Sequence, residues 1–242
     1  MYHSLNIGDK NTWDDYGLVP VNKIYFPSPS QKTQTVEIEG ASGSLDFSTI
    51  LTGYPIYQNI SGDLQFYLLD RVEARTLSNS GYPYPDNYTF YDIFMKIRGD
   101  LDGKTVKVWL EDDPDWYYEG RINVTTAMSS PRPVVTIRYD FEPYKKSRKP
   151  MSYNVNGLGA IIARQIIPEE IVGCMPTNFS FTVTGGTATV RFKCDKLGID
   201  ESNLFQEGTH TLYEWVMYGE STVFVSANVG VKVKMTFIPG RL

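Results

Sequence analysis

The sequence has little cysteine and little histidine. Only His3, Cys174, Cys194 and His210 represent these two residue types among the 242 residues. Two cysteines are too few for a disulfide scaffold or a four-ligand zinc site, so we predict two reduced thiols that are buried as small apolar side chains. A nucleophile–histidine pair would have to use His3 or His210, and neither lies in a nucleophile motif. The sequence therefore favours a protein that is not an enzyme.

Motifs for cofactors are also missing. No glycine-rich motif for nucleotide phosphates is present. The acidic run Glu111–Asp115 lacks the alternating ligand positions and the turn glycine of a calcium loop, whereas its Asp-Pro-Asp sequence is typical of a hairpin turn. We predict no cofactor, no metal and no catalytic residue. A spatial pair of carboxylates for glycoside hydrolysis stays open, because 28 acidic residues always offer candidates.

Long apolar runs and excess positive charge are absent as well. The charge-poor stretch Gly157–Ala163 is far shorter than the ~18–20 apolar residues that span a bilayer. Met1–Leu5 lacks the basic start and apolar core of a signal peptide, so we expect no Sec export. The formal net charge of −5 argues against a protein that grips nucleic acid through phosphates. It is compatible with a channel through which DNA passes.

Helical spacing of apolar residues predicts one helix, at residues 90–99. The apolar positions are Phe90, Ile93, Phe94, Ile97 and Leu101. Thr89 with Asp92 resembles a capping box, and Gly99 and Gly103 are candidate left-handed stops. Both ends of the helix are therefore predicted from the sequence.

Most of the remaining chain alternates with the period of two that is typical of strands. The alternation at Val106–Leu110 breaks at Asp112–Asp115 and resumes at Trp116–Tyr118, which predicts a hairpin. After a second break at Ser129–Pro133, it returns at Val135–Phe141. We therefore predict a meander of three strands after the helix.

A change in composition predicts two domains. The basic stretch Pro143–Pro150 is bracketed by prolines and is typical of a linker, so we place a boundary near residue 150. The predicted domains are residues 1–150, which would form a β-domain with one helix, and residues 151–242, which would form a small antiparallel β-sandwich. The predicted fold class is mainly β.

Two patterns support a sandwich in the second domain. Gly185-Gly186 separates two alternating runs and predicts a two-residue hairpin loop. Val231–Phe237 alternates cleanly and predicts a last strand, in which Lys232 and Lys234 would shield a sheet edge. We predict that this domain stays monomeric and that assembly depends on the first domain.

Tyrosines and prolines crowd Gly81–Tyr88. The segment is either a proline-stiffened surface connection or an aromatic contact with a protein partner, because Tyr buries much area at little entropic cost. Stacking on sugar rings is a third reading.

Five segments of the first predicted domain form a series. An aromatic–Asp–Gly–Leu element opens the series, and a turn with two glycines and Leu-Asp follows. The end of the helix, an Asp-Pro hairpin with an aromatic pair and Gly-Arg, and a Pro-Tyr-Lys segment complete it. The residues are Asn11–Leu18, Val36–Asp46, Leu101–Lys104, Asp112–Arg121 and Pro143–Lys145. In this order they resemble the distal tail proteins of siphophages that infect Gram-positive bacteria. In the second element, Gly40 and Gly43 should have backbone conformations that other residues resist.

The resemblance implies a structural protein of the virion. It implies a hexameric ring of N-terminal β-domains at the tail tip, assembled in the host cytoplasm, with galectin-like C-terminal sandwiches outside the ring. The implied partners are the tail tube protein, the tail hub or tail-associated lysin, the tape measure protein and the tail fibre, without specific nucleic-acid binding or membrane insertion. The alternative function is a glycan-binding β-sandwich module.

Overall fold

The computed structural model describes residues 4–37, 39, 44–50, 52–68, 90–127 and 133–242. The elements in chain order are β1 Leu5–Ile7, β2 Lys10–Asn11, β3 Leu18–Pro20, β4 Thr35–Glu37, β5 Ser44–Asp46, β6 Ile60–Leu68, α1 Phe90–Leu101, β7 Thr105–Leu110, β8 Trp116–Ala127, β9 Val134–Phe141, β10 Lys145–Ser147, β11 Met151–Asn156, β12 Ala163–Ile167, α2 Glu169–Val172, β13 Thr177–Thr184, β14 Ala188–Cys194, β15 Ile199–Phe205, β16 Gly208–Met217, β17 Ser221–Ala227, β18 Lys232–Phe237 and β19 Gly240–Arg241. The fold class is mainly β, as predicted.

The chain divides into two compact units, each with its own hydrophobic core. The N-terminal unit comprises residues 1–29 and 58–145, and the C-terminal unit comprises residues 30–57 and 146–242. Residues 30–57, which we call the arm, therefore belong to the C-terminal unit although they precede most of the N-terminal one. The predicted domains 1–150 and 151–242 are contiguous in sequence. They therefore include the arm in the first domain, whereas the arm belongs to the C-terminal unit.

The N-terminal unit is built on one curled, half-barrel antiparallel sheet. Seven of the nine strands of this sheet follow the order β2-β1-β7-β8-β9-β6-β3, and β10 and β19 lie off this path. The predicted meander of three strands is confirmed, because β7, β8 and β9 are neighbours. The predicted alternation is also found in β9, where Val135, Ile137, Tyr139 and Phe141 are buried and the residues between them face outward. One face of the sheet therefore packs on the core.

The predicted helix packs on this sheet and contributes Ile93, Phe94, Ile97 and Leu101 to the core. Gly103 has φ +71° and provides the predicted left-handed stop. The prediction that Gly99 is a stop is wrong. Gly99 is exposed inside the helix, which continues because Leu101 is buried beyond it.

The C-terminal unit is a sandwich of two four-stranded antiparallel sheets. Their strand orders are β11-β18-β13-β16 and β12-β17-β14-β15. The core between them is rich in aromatic side chains and centres on Trp215, which is fully buried. The arm adds a two-stranded hairpin of β4 and β5.

The predicted hairpin at Gly185-Gly186 is wrong. The flanking strands β13 and β14 lie in opposite sheets, and the two glycines, with φ +84° and +139°, carry the chain across the sandwich. The apolar side chains of the two strands face each other through the core, where the rings of Phe179 and Phe192 are 5.0 Å apart. Burial of both apolar faces against each other outweighs the local turn preference.

The prediction that Lys232 and Lys234 shield an edge is also wrong. They lie on β18, which has a strand on each side, and their side chains point outward from the face of the sheet. The edge strand β15 instead carries exposed Asp200 and Glu201, which supply the charge that discourages edge pairing.

Several predictions lie outside the described residues. They concern His3, the turn glycines Gly40 and Gly43, the aromatic segment 81–88, the N-cap Thr89 and the turn at 129–132. No described helix is long and apolar enough to cross a membrane.

Candidate assembly surfaces

The segment Asn11–Leu18, which contributes to the family resemblance, closes the sheet of the N-terminal unit. It connects β2 and β3, the strands at the two ends of the sheet. The N–H of Leu18 donates to the carbonyl oxygen of Thr12 at 2.8 Å, and the N–H of Leu5 on β1 donates to the Thr12 hydroxyl at 2.9 Å. The ends of the sheet therefore converge on one short turn, which we call the clasp.

Asn11 organises the clasp. Its side-chain oxygen accepts hydrogen bonds from the N–H groups of Trp13 at 2.8 Å and Asp14 at 3.1 Å. Its amide group donates to the Ser4 hydroxyl and to the Asn6 side-chain oxygen, at 3.1 and 3.0 Å. An Asn that bonds the backbone two residues ahead is a known turn device, so this role was detectable in the sequence. This role of Asn11 was not predicted.

Tyr16 connects the clasp to the helix. Its ring is fully buried and its hydroxyl donates to Asp100 Oδ2 at 3.1 Å. The next residue, Gly17, has φ +60° and its N–H donates to the carbonyl oxygen of Trp13. The aromatic–Gly pair thus has a structural role, because the Tyr fills the core and the Gly turns the chain into β3.

The acidic run Glu111–Asp115 forms the predicted turn between β7 and β8. Glu111 accepts a hydrogen bond from the Ser4 hydroxyl at 2.6 Å, and Asp113 pairs with Lys145 at 2.7 Å. These carboxylates anchor neighbouring segments. In the part of the chain that the structure describes, no group of three or more His, Cys, Asp or Glu side chains is arranged to hold a metal ion.

The outward face of β6, β9 and β8 is polar. It carries an ion pair in which Arg138 Nε lies 2.9 Å from Asp63 Oδ1. Beside the pair, a cleft of about 500 Å³ is lined by Ser61, Gly62, Asp63, Asn123, Arg138, Tyr139 and Asp140. The Arg138 hydrogen bonds lower the pKa of Asp63, so both groups stay charged at neutral pH. Opposite charges on this face therefore balance locally.

The opposite side of the same strands is packed tightly at Gly62. Tyr139 is almost fully buried, and a Cβ added to Gly62 would lie 2.6 Å from its hydroxyl oxygen. Burial raises the pKa of Tyr139, and the charge of Asp63 adds to this effect. The phenol stays neutral at physiological pH, which fits a packing role.

The arm is held on the sandwich by an aromatic contact. The rings of Tyr54 and Tyr218 are 5.4 Å apart, and Lys196 lies 5.6 Å from the Tyr218 ring while it pairs with Glu169 at 2.6 Å. Burial raises the pKa of Tyr218. No local pattern in the sequence indicates this contact, because its partners are more than 160 residues apart (Tyr54 to Tyr218).

The described histidine and the cysteines occupy structural positions. His210 packs on Phe205 and Phe181, with ring centroids 5.1 and 5.5 Å away, and its Nε2 lies 2.9 Å from the Gln206 carbonyl oxygen. Both thiols are free: Cys194 is buried and Cys174 is half-buried. The free thiols agree with the predicted reduced state, whereas the prediction that both side chains are buried is wrong for Cys174.

Comparisons with known proteins identify the fold. No protein-family model matches the chain, and no curated protein matches it. A crystal structure does match: that of the Dit protein (gp 19.1) of SPP1, called a paradigm of the hub adsorption apparatus in phages that infect Gram-positive bacteria. The match covers 100% of this chain and 100% of that chain, with a TM-score of 0.60 and 11% sequence identity. This chain therefore has the fold of a phage distal tail protein over its whole length.

Proposed function

We propose that this chain is a distal tail protein, a structural component of a phage tail tip. In this proposal six copies form a ring that connects the tail tube to the hub or the receptor-binding apparatus. The observation that carries the proposal is the likeness to the SPP1 Dit protein, which includes both units and leaves no part of either chain outside the match. A shared single domain would support only a common module, since one fold hosts many functions.

The resemblance in sequence supports the same proposal independently. Two of the five segments on which it rests, residues 11–18 and the turn after β7, have a role in building the N-terminal unit. The clasp joins the two ends of the sheet, and the acidic turn anchors Ser4 and Lys145. These residues are therefore suited to shape a ring subunit.

The sheet geometry changes how such a ring would assemble. Unpaired sheet edges are one natural route to a closed ring. Here the end strands β2 and β3 have only two and three residues, and the clasp brings them together. We therefore propose that subunits of the ring contact each other through sheet faces and loops instead of by extending the sheet at β2 or β3.

The proposed partners are the tail tube protein on one side and the tail hub or tail-associated lysin on the other, with the tape measure protein and the tail fibre as further neighbours. The protein would be assembled in the host cytoplasm and would reside in the virion. DNA would pass through the ring without specific binding. Six copies at −5 each favour a neutral to acidic inner wall, which repels phosphates.

We also propose that the chain has no catalytic role. Two described carboxylates, Asp63 and Asp200, are engaged in surface ion pairs with Arg138 and Arg191. His210 is packed between aromatic rings. A test is release of reducing sugar from host cell walls, for which we expect no turnover.

The alternative is a glycan-binding module, for which Phe224 is one candidate ring for stacking on sugars. Phe224 lies on the outer face of the sandwich, but the guanidinium groups of Arg164 and Arg191 lie over its ring at 5.8 and 5.4 Å. Sugar stacking needs a free ring face. Binding of the full chain to host polysaccharide, abolished by Phe224→Ala, would favour this alternative.

Electron microscopy of tails tests the proposed function. Purified tails that contain the full chain would be labelled with gold-coupled antibody against it. We expect one label cluster at the tail end distal to the capsid, and tubes without a normal tip when the chain is omitted. Label along the whole tube, or normal infectious tails without the chain, would contradict the proposal.

A further inference from the structure

The outer face of the β11-β18-β13-β16 sheet consists of amide, hydroxyl and lysine side chains. Its residues alternate along the four strands with residues that face the core. They are Ser152, Asn154, Asn156, Ser180, Thr182, Thr184, Thr209, Thr211, Lys232, Lys234 and Thr236. We call this surface the lysine face, because Lys232 and Lys234 carry its charge.

Both lysines lie among neutral hydrogen-bonding side chains. Each has an asparagine beside it on β11 and a threonine beside it on β13. The neighbours in register are Asn154 and Thr182 for Lys234, and Asn156 and Thr184 for Lys232. Among the described residues, no carboxylate is in register with either lysine on a neighbouring strand. Glu207, which precedes β16, accepts a hydrogen bond from the Gly185 N–H at 3.3 Å.

The outer face of the other sheet has the opposite arrangement. It also carries two cations two residues apart on one strand, but Arg191 pairs with Asp200 at 2.6 Å and Lys193 pairs with Asp195 at 2.7 Å. Acidic residues outnumber basic ones in the chain, 28 to 23, so two cations without an adjacent acid depart from its overall charge. Such a face attracts anions.

The geometry of the lysine face suits an extended ligand. Residues two apart on a strand have Cα atoms about 7 Å apart and side chains on the same side, so the two ammonium groups can meet successive anions of one chain. Four strands make a face about 14 Å wide. The hydroxyl groups of Thr182 and Thr209 are 3.0 Å apart, and they can donate to and accept from a ligand that carries hydroxyl groups.

The composition of the lysine face narrows down the ligand. A protein partner is a poor fit, because protein interfaces have an apolar or aromatic centre and are depleted in Lys and Ser. A lipid surface is a poor fit, because the face offers no apolar side chain to insert. Neutral sugars and single-stranded nucleic acid stack on aromatic rings, which this face lacks, and duplex nucleic acid needs a more basic surface.

We propose that the lysine face binds an anionic polymer rich in hydroxyl groups, of the class that includes phosphodiester-linked polyols and carboxylated polysaccharides. Lys232 and Lys234 bind successive anions, and the surrounding Asn and Thr side chains bond the hydroxyl groups. This inference gives the chain a ligand in addition to its proposed function. It does not depend on that function, because the site lies on one sheet of a single copy.

Binding of the full chain to immobilised polymers tests this inference. Biolayer interferometry would compare poly(glycerol phosphate) and polygalacturonate with uncharged dextran. We expect binding to one or both anionic polymers and none to dextran. Two lysine contacts should make the affinity fall about sevenfold between about 50 and 200 mM salt. The polymer that binds more tightly identifies the preferred anion as phosphate or carboxylate.

Two double variants with the same change in charge locate the site. Lys232→Gln with Lys234→Gln should weaken binding about tenfold or more. The matched control is Arg191→Gln with Lys193→Gln on the outer face of the other sheet, which should weaken binding less than about twofold. Asn154→Asp, which places a carboxylate beside Lys234 and keeps both lysines, should also weaken binding.

Three outcomes would overturn the inference. They are equal losses in the two double variants, no binding to either anionic polymer, and equally tight binding to polyglutamate, which carries anions without hydroxyl groups. Each of them leaves the proposed function standing, because the ring is measured separately by the mass of the full chain.

Discussion

The two units of this protein close their sheets by different means. The N-terminal unit curls a single sheet whose end strands β2 and β3 are connected by the clasp, where the Leu18 N–H donates to the Thr12 carbonyl oxygen and Asn11 holds the turn. The C-terminal unit packs two sheets around buried aromatic rings, with Trp215 in contact with the rings of Phe179, Phe192 and Phe205. Both units bury a hydrophobic core, and the first adds a group of directional hydrogen bonds at the clasp.

The largest expected effect is that of Trp215→Ala. Removal of this fully buried side chain should lower the free energy of unfolding of the C-terminal unit by about 3–5 kcal/mol, because it leaves a cavity and removes the indole N–H bond to Glu201. In this variant tryptophan fluorescence reports on the N-terminal unit alone. The remaining tryptophans, Trp13, Trp109 and Trp116, all lie in the N-terminal unit.

Denaturant unfolding followed by two probes checks this prediction. Circular dichroism should show an early transition from the C-terminal unit, while tryptophan fluorescence should report an unchanged N-terminal unit. Tyr213→Ala is the control, since this residue on the same strand is 82% exposed and its loss should cost less than about 0.5 kcal/mol. Parallel shifts of both probes in the Trp215→Ala variant would mean that the two units unfold as one.

The reverse experiment uses the clasp. Asn11→Ala removes two hydrogen bonds to backbone N–H groups and two to side chains, at about 1 kcal/mol each before compensation by water. We expect a loss of about 2–3 kcal/mol in the N-terminal unit, seen by tryptophan fluorescence in a Trp215→Phe background. Asn123→Ala, an exposed Asn on β8, should change stability by less than about 0.5 kcal/mol. Equal effects of the two substitutions would show that the clasp does not hold the sheet closed.

A smaller effect tests the helix of the N-terminal unit. Gly99→Ala should raise stability by about 0.5–1 kcal/mol, because Gly99 is exposed inside α1 and an added Cβ meets no atom within 4 Å. The same change at Gly103, where φ is +71°, should instead lower stability by about 1 kcal/mol. Thermal melts of both variants measure these changes in stability. A higher melting temperature for Gly103→Ala would contradict the assigned end of the helix.

The smallest effect is a pH dependence at the end of the same helix. Asp102 accepts hydrogen bonds from the Val124 N–H at 2.9 Å and from Arg98 Nε at 3.1 Å, and these lower the pKa of its carboxyl group. A lowered folded pKa gives stability that is present above the unfolded pKa and is lost as pH falls through the folded pKa. Melting temperatures of the wild type should therefore fall more than those of Asp102→Asn below about pH 4. If the melting temperatures of the two proteins fall equally as the pH is lowered, Asp102 does not contribute to the loss of stability in acid.

Local patterns predicted much of the fold because they act within one element. The helix at residues 90–101 and the meander of β7, β8 and β9 have the expected burial patterns. The loop at Gly185-Gly186 was misassigned, because two glycines permit both a hairpin and a crossing between sheets. The choice depends on where the apolar faces of β13 and β14 become buried, which is not a local property.

The arm is the clearest case of a feature that no pattern in the sequence predicted. Its contact between Tyr54 and Tyr218 joins distant positions, so the chain passes between the two units three times. A fragment that ends near residue 150 would contain the arm without the surface on which it packs. The predicted assembly through the first domain is therefore better tested with the full chain than with contiguous fragments.

The mass of the full chain in solution tests the central claim most directly. Multi-angle light scattering across a concentration series, alone and with the tail tube protein, measures whether subunits form a closed ring. The account predicts a species of about 165 kDa, six copies of the 27.5 kDa chain, with no larger open-ended polymers. A mass of 27.5 kDa under every condition would contradict it.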